Sequence, residues 1–380
     1  MKYRKFGKLD YQISALSLGC MRLPTQDNKS RSGEVDEKEA VRLIRSAIDR
    51  GVNYIDTAYP YHNGNSEIIT GKALGDGYRS KVKLATKSPL WSVNSPGDFD
   101  KFLNEQLKKL QTEHIDFYLL HGIDKKRWDN VVLKFDLLKK AEAAIADGRI
   151  GHLGFSFHDN CESFKLIVDG YEHWDFCLIQ YNYMDIENQA GTKGLHYAAS
   201  KGLAVIVMEP LLGGRLANPP AEVQKVFEEY GTKRSPVQWA LQWLWNQPEV
   251  TSVISGMSSM QQLNENLQTV ESLSTQSLLP EDMEFIKRVR SAFLKRAVAP
   301  CTKCGYCLLC PQGVDIPWIL ELYNSGIIYD DISASHFAYT HFVPEANRAN
   351  VCTQCGQCDE KCPQGINPSK LMPEIHEKLK

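Results

Sequence analysis

The sequence predicts an α/β protein: a (β/α)8 TIM barrel followed by a small, mainly α-helical module rich in cysteine. Three observations carry that expectation. Short apolar runs alternate with segments of helical period, the 380-residue length exceeds what one such barrel takes, ~250 residues, and eight of the eleven cysteines lie between Cys301 and Cys362.

The elements follow in order. Residues 3–13 predict a short hairpin, and strands are expected at 15–21, 54–58, 82–87, 115–121, 152–157, 176–183, 204–208 and 251–256. Helical period fills 36–50, 100–110, 131–147, 193–201, 237–246 and 260–273. Several strands are nearly continuous apolar runs, as a parallel sheet covered by helices requires. Eight successive β-α units fit a closed barrel. The competing doubly wound sheet would show G-x-G-x-x-G after its first strand, and none is there. Beyond Leu273 the pattern changes: 274–279 is a polar connection, 280–297 predicts a helix that starts at Pro280, and Pro300 stops it before the first cysteine run. The expected division is a barrel over 1–279, a linking helix over 280–299 and a second domain over 300–380.

Composition excludes several function classes. A net charge of −2 and a pI near 6.6 give no broad electrostatic footprint for nucleic acid or anionic lipid. Lys5, Lys8 and Asp10 break the N-terminal segment, and no run approaches the ~18 apolar residues of a membrane span. A cytoplasmic protein with no nucleic-acid or membrane partner is expected.

In a barrel of this kind, chemistry sits at the C-terminal ends of the strands. Strand two ends in YIDTAYPYHNGNSE, strand three in LATKSP and strand four in FYLLHG, so Asp56, Tyr61, Lys87 and His121 reach one rim. Singly, each has a bland explanation: a loop-capping Asp, a core-sealing Tyr, a solvated Lys, a satisfied core His. At successive strand ends they have a joint purpose.

Here the chain resembles the aldo-keto reductases, on GVNYIDTAYPYHNGNSEIITGKAL, LATKSP, IDFYLLHG, GHLGFSFHD, LIQYNYMD and VISGMSSMQQLNENL, in the family's order over residues 3–273. The first segment is specific, because it joins Asp56, Tyr61, Glu67 and Gly71. The resemblance implies a catalytic tetrad of Asp56, Tyr61, Lys87 and His121, an NADP or NAD cofactor, and reduction of an aldehyde or ketone. The chemistry is coherent. Hydride addition leaves charge on oxygen, so an acid must stand within reach; a free phenol has a pKa near ~10, and a neighbouring ammonium would lower it. Tyr61 is the expected acid and Lys87 the ammonium, with Asp56 fixing Lys87 and His121 orienting the carbonyl.

By the same resemblance Ser156 and Gln180 would bond the nicotinamide amide. Many relatives carry an Asn after that Ser; here Phe157 and His158 follow, so one contact is missing or made by His158. The aromatic often found at the end of strand seven is replaced by Met208-Glu209-Pro210. Leu211, Gly213 and Gly214 would pass near the pyrophosphate, where small residues let the backbone approach. On the adenine side, Gly256, Gln262, Glu265 and Asn266 hold the family's positions. Residues 255–259 contain no cation for a 2′-phosphate, and Gln262 stands where an Arg often does. NADP and NAD both stay open.

The C-terminal cysteines run Cys301, Cys304, Cys307, Cys310 before Pro311, then Cys352, Cys355, Cys358, Cys362 before Pro363. The second run has the C-x2-C-x2-C-x3-C-P spacing of bacterial ferredoxins, and the first differs by one residue. Zinc bound by two C-x2-C pairs is the competing reading, but zinc sites usually separate their pairs by a long loop. Two 4Fe–4S clusters are expected, with one cluster beside a degenerate motif as the alternative. If the fourth cysteine of each run crosses over, one takes Cys301, Cys304, Cys307 and Cys362, and the other Cys352, Cys355, Cys358 and Cys310. Segment 311–351 should pack as helices, its aromatics serving as core. Cys20, Cys161 and Cys177 read as small buried hydrophobes.

Nicotinamide exchanges a hydride whereas clusters pass single electrons, and no flavin fingerprint is visible. Electron exchange with a partner protein, redox sensing and structural support therefore compete as roles for the module. A catalytically silent barrel carrying an electron-transfer module is the alternative from a different class.

Overall fold

The computed structural model describes residues 1–231, 233–272 and 278–380. β1 (Tyr3–Lys5) and β2 (Gln12–Ser14) form an antiparallel hairpin. β3 (Leu16–Gly19), β4 (Tyr54–Asp56), β5 (Lys83–Ser88), β6 (Ile115–Ile123), β7 (Ile150–Phe157), β8 (Phe176–Gln180), β9 (Ala204–Met208) and β10 (Val250–Ser255) close into a parallel barrel. The seam is set by β10 against β3, with Val253 opposite Leu16. The barrel is the (β/α)8 fold that the strand pattern predicts.

The hairpin explains which mouth is free. Phe6 and Ile13 pack on Tyr54, Phe117 and Phe176, which lie near the starts of their strands, with the rings of Phe6 and Phe117 4.6 Å apart. Aromatic burial of this kind plugs the N-terminal end. The C-terminal end is left for chemistry.

Some elements differ from expectation. The helix expected over 131–147 is split into a wide turn, Trp128–Leu133, and a helix, Leu137–Ala146, because Asp136 takes a left-handed φ of 52°. Helices Asn65–Ala73, Cys161–Asp169 and Ala221–Glu229 have no counterpart in the sequence reading. The helix begun at Pro280 ends at Leu294. Of the polar connection expected at 274–279, residues 274–277 lie outside the described residues. Cys20 and Cys177 are buried as expected, whereas Cys161 is half-buried at the start of its helix.

The chain forms two compact units, one of Met1–Gly213 with Val237–Leu279, the other of Gly214–Pro236 with Pro280–Lys380. In the second unit Tyr230 stacks on Phe285 with ring centres 4.0 Å apart. Helices Ile316–Ile328, Ile332–Phe342 and Pro368–Leu379 surround a core that includes Ile319, Tyr323, Tyr339, Met372 and Ile375. Asp315 and Asp331 cap the first two by accepting from the amides of Trp318 and Ala334. Tyr323 and Tyr339 are core residues, as expected for this segment, while Phe337 is half exposed. No helix among the described residues is long and apolar enough to cross a membrane.

Candidate active site and cysteine centre

Asp56 ends β4, Lys87 lies in β5 and His121 in β6, so neighbouring strands deliver three side chains to the open mouth. Tyr61 comes from the loop after β4, where His62, Asn63 and Gly64 all take positive φ and turn the chain sharply. The Lys87 ammonium donates to Asp56 Oδ2 at 2.7 Å, to the Thr57 carbonyl at 2.7 Å and to the Tyr61 hydroxyl at 3.3 Å. All three of its protons are used. Lys87 and Asp56 are both buried; Asp56 Oδ2 takes the ammonium, and its Oδ1 is buried without a protein partner. Burial works against the charged amine, yet Asp56 and Tyr61 outweigh it and hold Lys87 above its ordinary pKa.

Burial raises the Tyr61 phenol above its ordinary value, with Lys87 pulling it down and Asp56 pushing it up. The lowering expected from the ammonium is therefore present but outweighed by desolvation. His121 stands edge-on to Tyr61, its ring centre 6.1 Å away, and Trp91 packs edge-on against it at 5.0 Å. Burial, then the charge of Lys87, holds His121 well below the usual imidazole range, so its ring is neutral. Its buried Nδ1 has no protein partner.

A buried network fixes Lys87 from behind. Glu67 accepts from Thr86 Oγ1 and from Gln106 Nε2, both at 2.6 Å, and Gln106 also donates to the Lys87 carbonyl at 3.0 Å. Glu67 rides on helix Asn65–Ala73, which packs tightly because Gly71 lacks a side chain: a Cβ there would sit 2.7 Å from the Lys109 carbonyl oxygen.

The expected cofactor residues are partly assembled. Ser156 Oγ accepts from the Gly122 amide at 2.7 Å at the end of β7. Gln180 is engaged at both ends of its amide, donating to Asp185 at 2.7 Å and accepting from Gln189 at 3.1 Å. Asn266 is buried and donates to Ser255 Oγ at 2.9 Å, which ties helix Met260–Glu271 to the end of β10. Gln262 and Glu265 are exposed on that helix; Gln262 accepts from the Ser258 amide at 2.8 Å and Glu265 from Gln261 at 2.9 Å. Leu211 and Gly213 lie in the loop after β9, Gly213 with φ 71°.

One residue was not legible in the sequence. Arg22, in the turn after β3, runs beneath Gly256, where a Cβ would lie 3.2 Å from its Cδ, and its Nη2 lies 3.2 Å from where a Gly213 Cβ would stand. The cation missing from 255–259 thus reaches Gly256 from the other end of the barrel sequence. Folding the first strand beside the last makes that contact.

In the second unit both cysteine runs adopt one turn. Residues 301–307 read CTKCGYC and 352–358 read CTQCGQC; Lys303 and Gln354 share φ 55°, Gly305 and Gly356 have φ 79° and 75°, and the Lys303 and Gln354 amides each donate to the sulfur two residues back at 3.4 Å. Cys301, Cys304, Cys307 and Cys362 line one hollow. Cys310, Cys352, Cys355 and Cys358 line a second, which Cys307 also borders. No group of three or more His, Cys, Asp or Glu among the described residues converges on the point a single ion would occupy.

Residues 15–287 match the aldo/keto reductase family, and residues 297–366 match a 4Fe-4S dicluster domain. The chain belongs to the aldo/keto reductase family. Two oxidoreductases of Bacillus subtilis (strain 168) resemble it: YrpG, 28% identical over 314 residues, 71% of this chain and 91% of the relative, and YqkF, 31% identical over 296 residues, 70% and 90%. Among solved structures, the holo form of aldo-keto reductase AKR11C1 from Bacillus halodurans superposes with a TM-score of 0.63 at 26% identity, covering 76% of this chain and 96% of that one. This aldo-keto reductase is an oxidoreductase of a family that works with NAD(P)H, and it carries a 4Fe-4S domain beyond the family's span.

Proposed function

We propose that this reductase converts an aldehyde or ketone to an alcohol. The observation that carries the reading is the 3.3 Å contact between the Lys87 ammonium and the Tyr61 hydroxyl at the open barrel mouth. The site fits a nicotinamide cofactor: the His121 Nδ1 is buried without a protein partner, and Gly213 and Gly256 leave room beside the Arg22 guanidinium. Reduced nicotinamide, when bound, supplies a hydride. Tyr61 passes its proton to the substrate oxygen, and Lys87, held by Asp56, stabilises the phenolate left behind. Neutral His121 donates to or accepts from the carbonyl oxygen and orients it. Ser156 and Gln180 hold the carboxamide, with Gln180 exchanging Asp185 or Gln189 for it. Leu211, Gly213, Gly256, Gln262, Glu265 and Asn266 line the path toward adenine, and Arg22 offers a cation to a phosphate there, which makes NADP as well served as NAD.

The eight clustered cysteines are assigned as ligands of two 4Fe–4S clusters, one per hollow, with the fourth cysteine of each run crossed over. Four thiols around each hollow are the donor set a cubane takes. Clusters supply single electrons when bound, so the module is assigned to exchange with a partner protein in a reducing compartment such as the cytoplasm.

Two measurements test the reading. Tyr61→Phe should lower carbonyl turnover by roughly 10²–10⁴-fold while nucleotide affinity stays within about twofold; full activity would refute the acid assignment. Anaerobically purified protein should be brown, with iron and sulfide in equal amounts, and colourless protein containing zinc would overturn the cluster assignment.

A further inference from the structure

We infer that Asp359 makes the two clusters unequal, holding the one bound through Cys358 at the lower reduction potential so that the pair takes up electrons in two separated steps. The inference rests on the proposed cluster assignment and goes beyond it. The two cysteine turns are near copies: besides their shared backbone angles, the Lys303 and Gln354 amides donate to Cys301 and Cys352 Sγ at the same 3.4 Å. Hydrogen bonds to sulfur are one lever on a cluster's potential, and here they are matched. Lys361 borders both hollows and so favours neither. The copies part after the third cysteine. Leu308 follows Cys307 and is 56% exposed, whereas Asp359 follows Cys358 and is half-buried.

Three contacts fix the Asp359 carboxylate. The Cys358 thiol donates to its Oδ1 at 3.5 Å, the Ser369 amide donates to the same oxygen at 2.9 Å, and the Ser369 hydroxyl donates to Oδ2 at 2.6 Å. Ser369 is buried in the first turn of helix Pro368–Leu379, whose N-terminal amides attract a negative group, and it borders the second hollow. The backbone is pinned as well: the Asp359 amide donates to the Gly356 carbonyl at 3.0 Å, and its own carbonyl accepts from the Cys362 amide at 3.3 Å. When Cys358 becomes a cluster ligand its thiol proton leaves. The carboxylate then faces a thiolate directly, and Ser369 keeps it from turning away. Reduction moves one electron from a donor, the proposed partner protein, onto the cluster; no bond to Cys358 breaks, and the net charge falls by one. A fixed negative charge beside the ligating sulfur opposes that step. Residues 301–310 contain no carboxylate, and their one charge, Lys303, is paired with Glu321 at 2.5 Å in an exposed position.

The test is an anaerobic redox titration of the full-length holoprotein with europium(II) as the one-electron reductant, followed by electron paramagnetic resonance, with iron and sulfide measured on the same sample. Wild type should show two one-electron steps. Asp359→Asn, which keeps an oxygen for Ser369 and loses the charge, should make the lower step roughly tenfold more favourable, about 59 mV for one electron, and leave the upper step nearly in place. Asp359→Ser provides the neutral comparison should the Asn variant fail to fold. Glu360→Gln removes the same charge from an exposed side chain one residue on and should move neither step. The inference is overturned if both wild-type clusters titrate together, if the neutral variants leave the lower step unmoved or move the upper one instead, or if Glu360→Gln shifts the lower step equally; in each case the cluster assignment stands. Wild type with iron and sulfide for fewer than two clusters overturns the cluster assignment and the inference together.

Discussion

Lys87 is the residue on which the proposed barrel chemistry turns, because its three protons have three partners and one of them is Tyr61, the acid we propose. His121 beside it offers a separate test through pH. An unfolded imidazole takes up a proton near pH ~6.5, whereas folded His121 resists until far lower. Between those values the unfolded chain holds more protons, so acid favours unfolding. Stability should thus be full above pH ~6.5 and fall below it, with one group contributing up to about 1.4 kcal/mol per pH unit. His121→Phe should flatten that slope in denaturant titrations at pH 5 to 7, as order-of-magnitude bounds on the window; an unchanged slope would contradict the buried neutral imidazole. At this scale the meeting of Asp56, Tyr61, Lys87 and His121 at one rim was legible because each lies near the end of a strand or follows one. Arg22 and Glu209 were not, since nothing local in the sequence tells that they face one glycine.

Elements were legible where one face is apolar and the other polar. Helix Glu37–Asp49 satisfies that rule, with Leu43, Ile44 and Ala47 buried and Asp36 as its cap. Helix Asn65–Ala73 defies it: Ser66, Glu67, Thr70 and Gly71 are all buried, so no apolar stripe marks it. Its polar face exists to present Glu67 to Thr86 and Gln106. Gly71→Ala should therefore do more than crowd a helix, because the added carbon meets the backbone of helix Gly97–Leu110. We expect a loss of about 1–3 kcal/mol in unfolding free energy, together with reduced turnover as Glu67 and Lys87 shift. Normal stability measured by urea unfolding would show that the two helices can part without cost.

At the scale of the whole chain, the cysteine spacing announced the second unit, but its full membership was hidden. Segment Gly214–Pro236 precedes the last barrel strand in sequence and yet joins the C-terminal residues in one compact unit. No motif marks it. What binds it is packing: Phe227 and Tyr230 lie against Phe285, Tyr230 donates to Asp282 at 2.9 Å, and Arg296 reaches Glu222. Two truncations separate the helix from the cysteine module. A chain ending at Ala299 keeps Phe285 and Asp282, so segment 214–236 retains the surface it buries against. A chain ending at Leu279 leaves Phe227 and Tyr230 without it, and the buried Phe227 ring alone forfeits about 1.5–3 kcal/mol of burial. The shorter chain should be cut by protease within 214–236 much faster than the longer one, and equal cutting of both would show that this segment is held by contacts other than those with helix Pro280–Leu294.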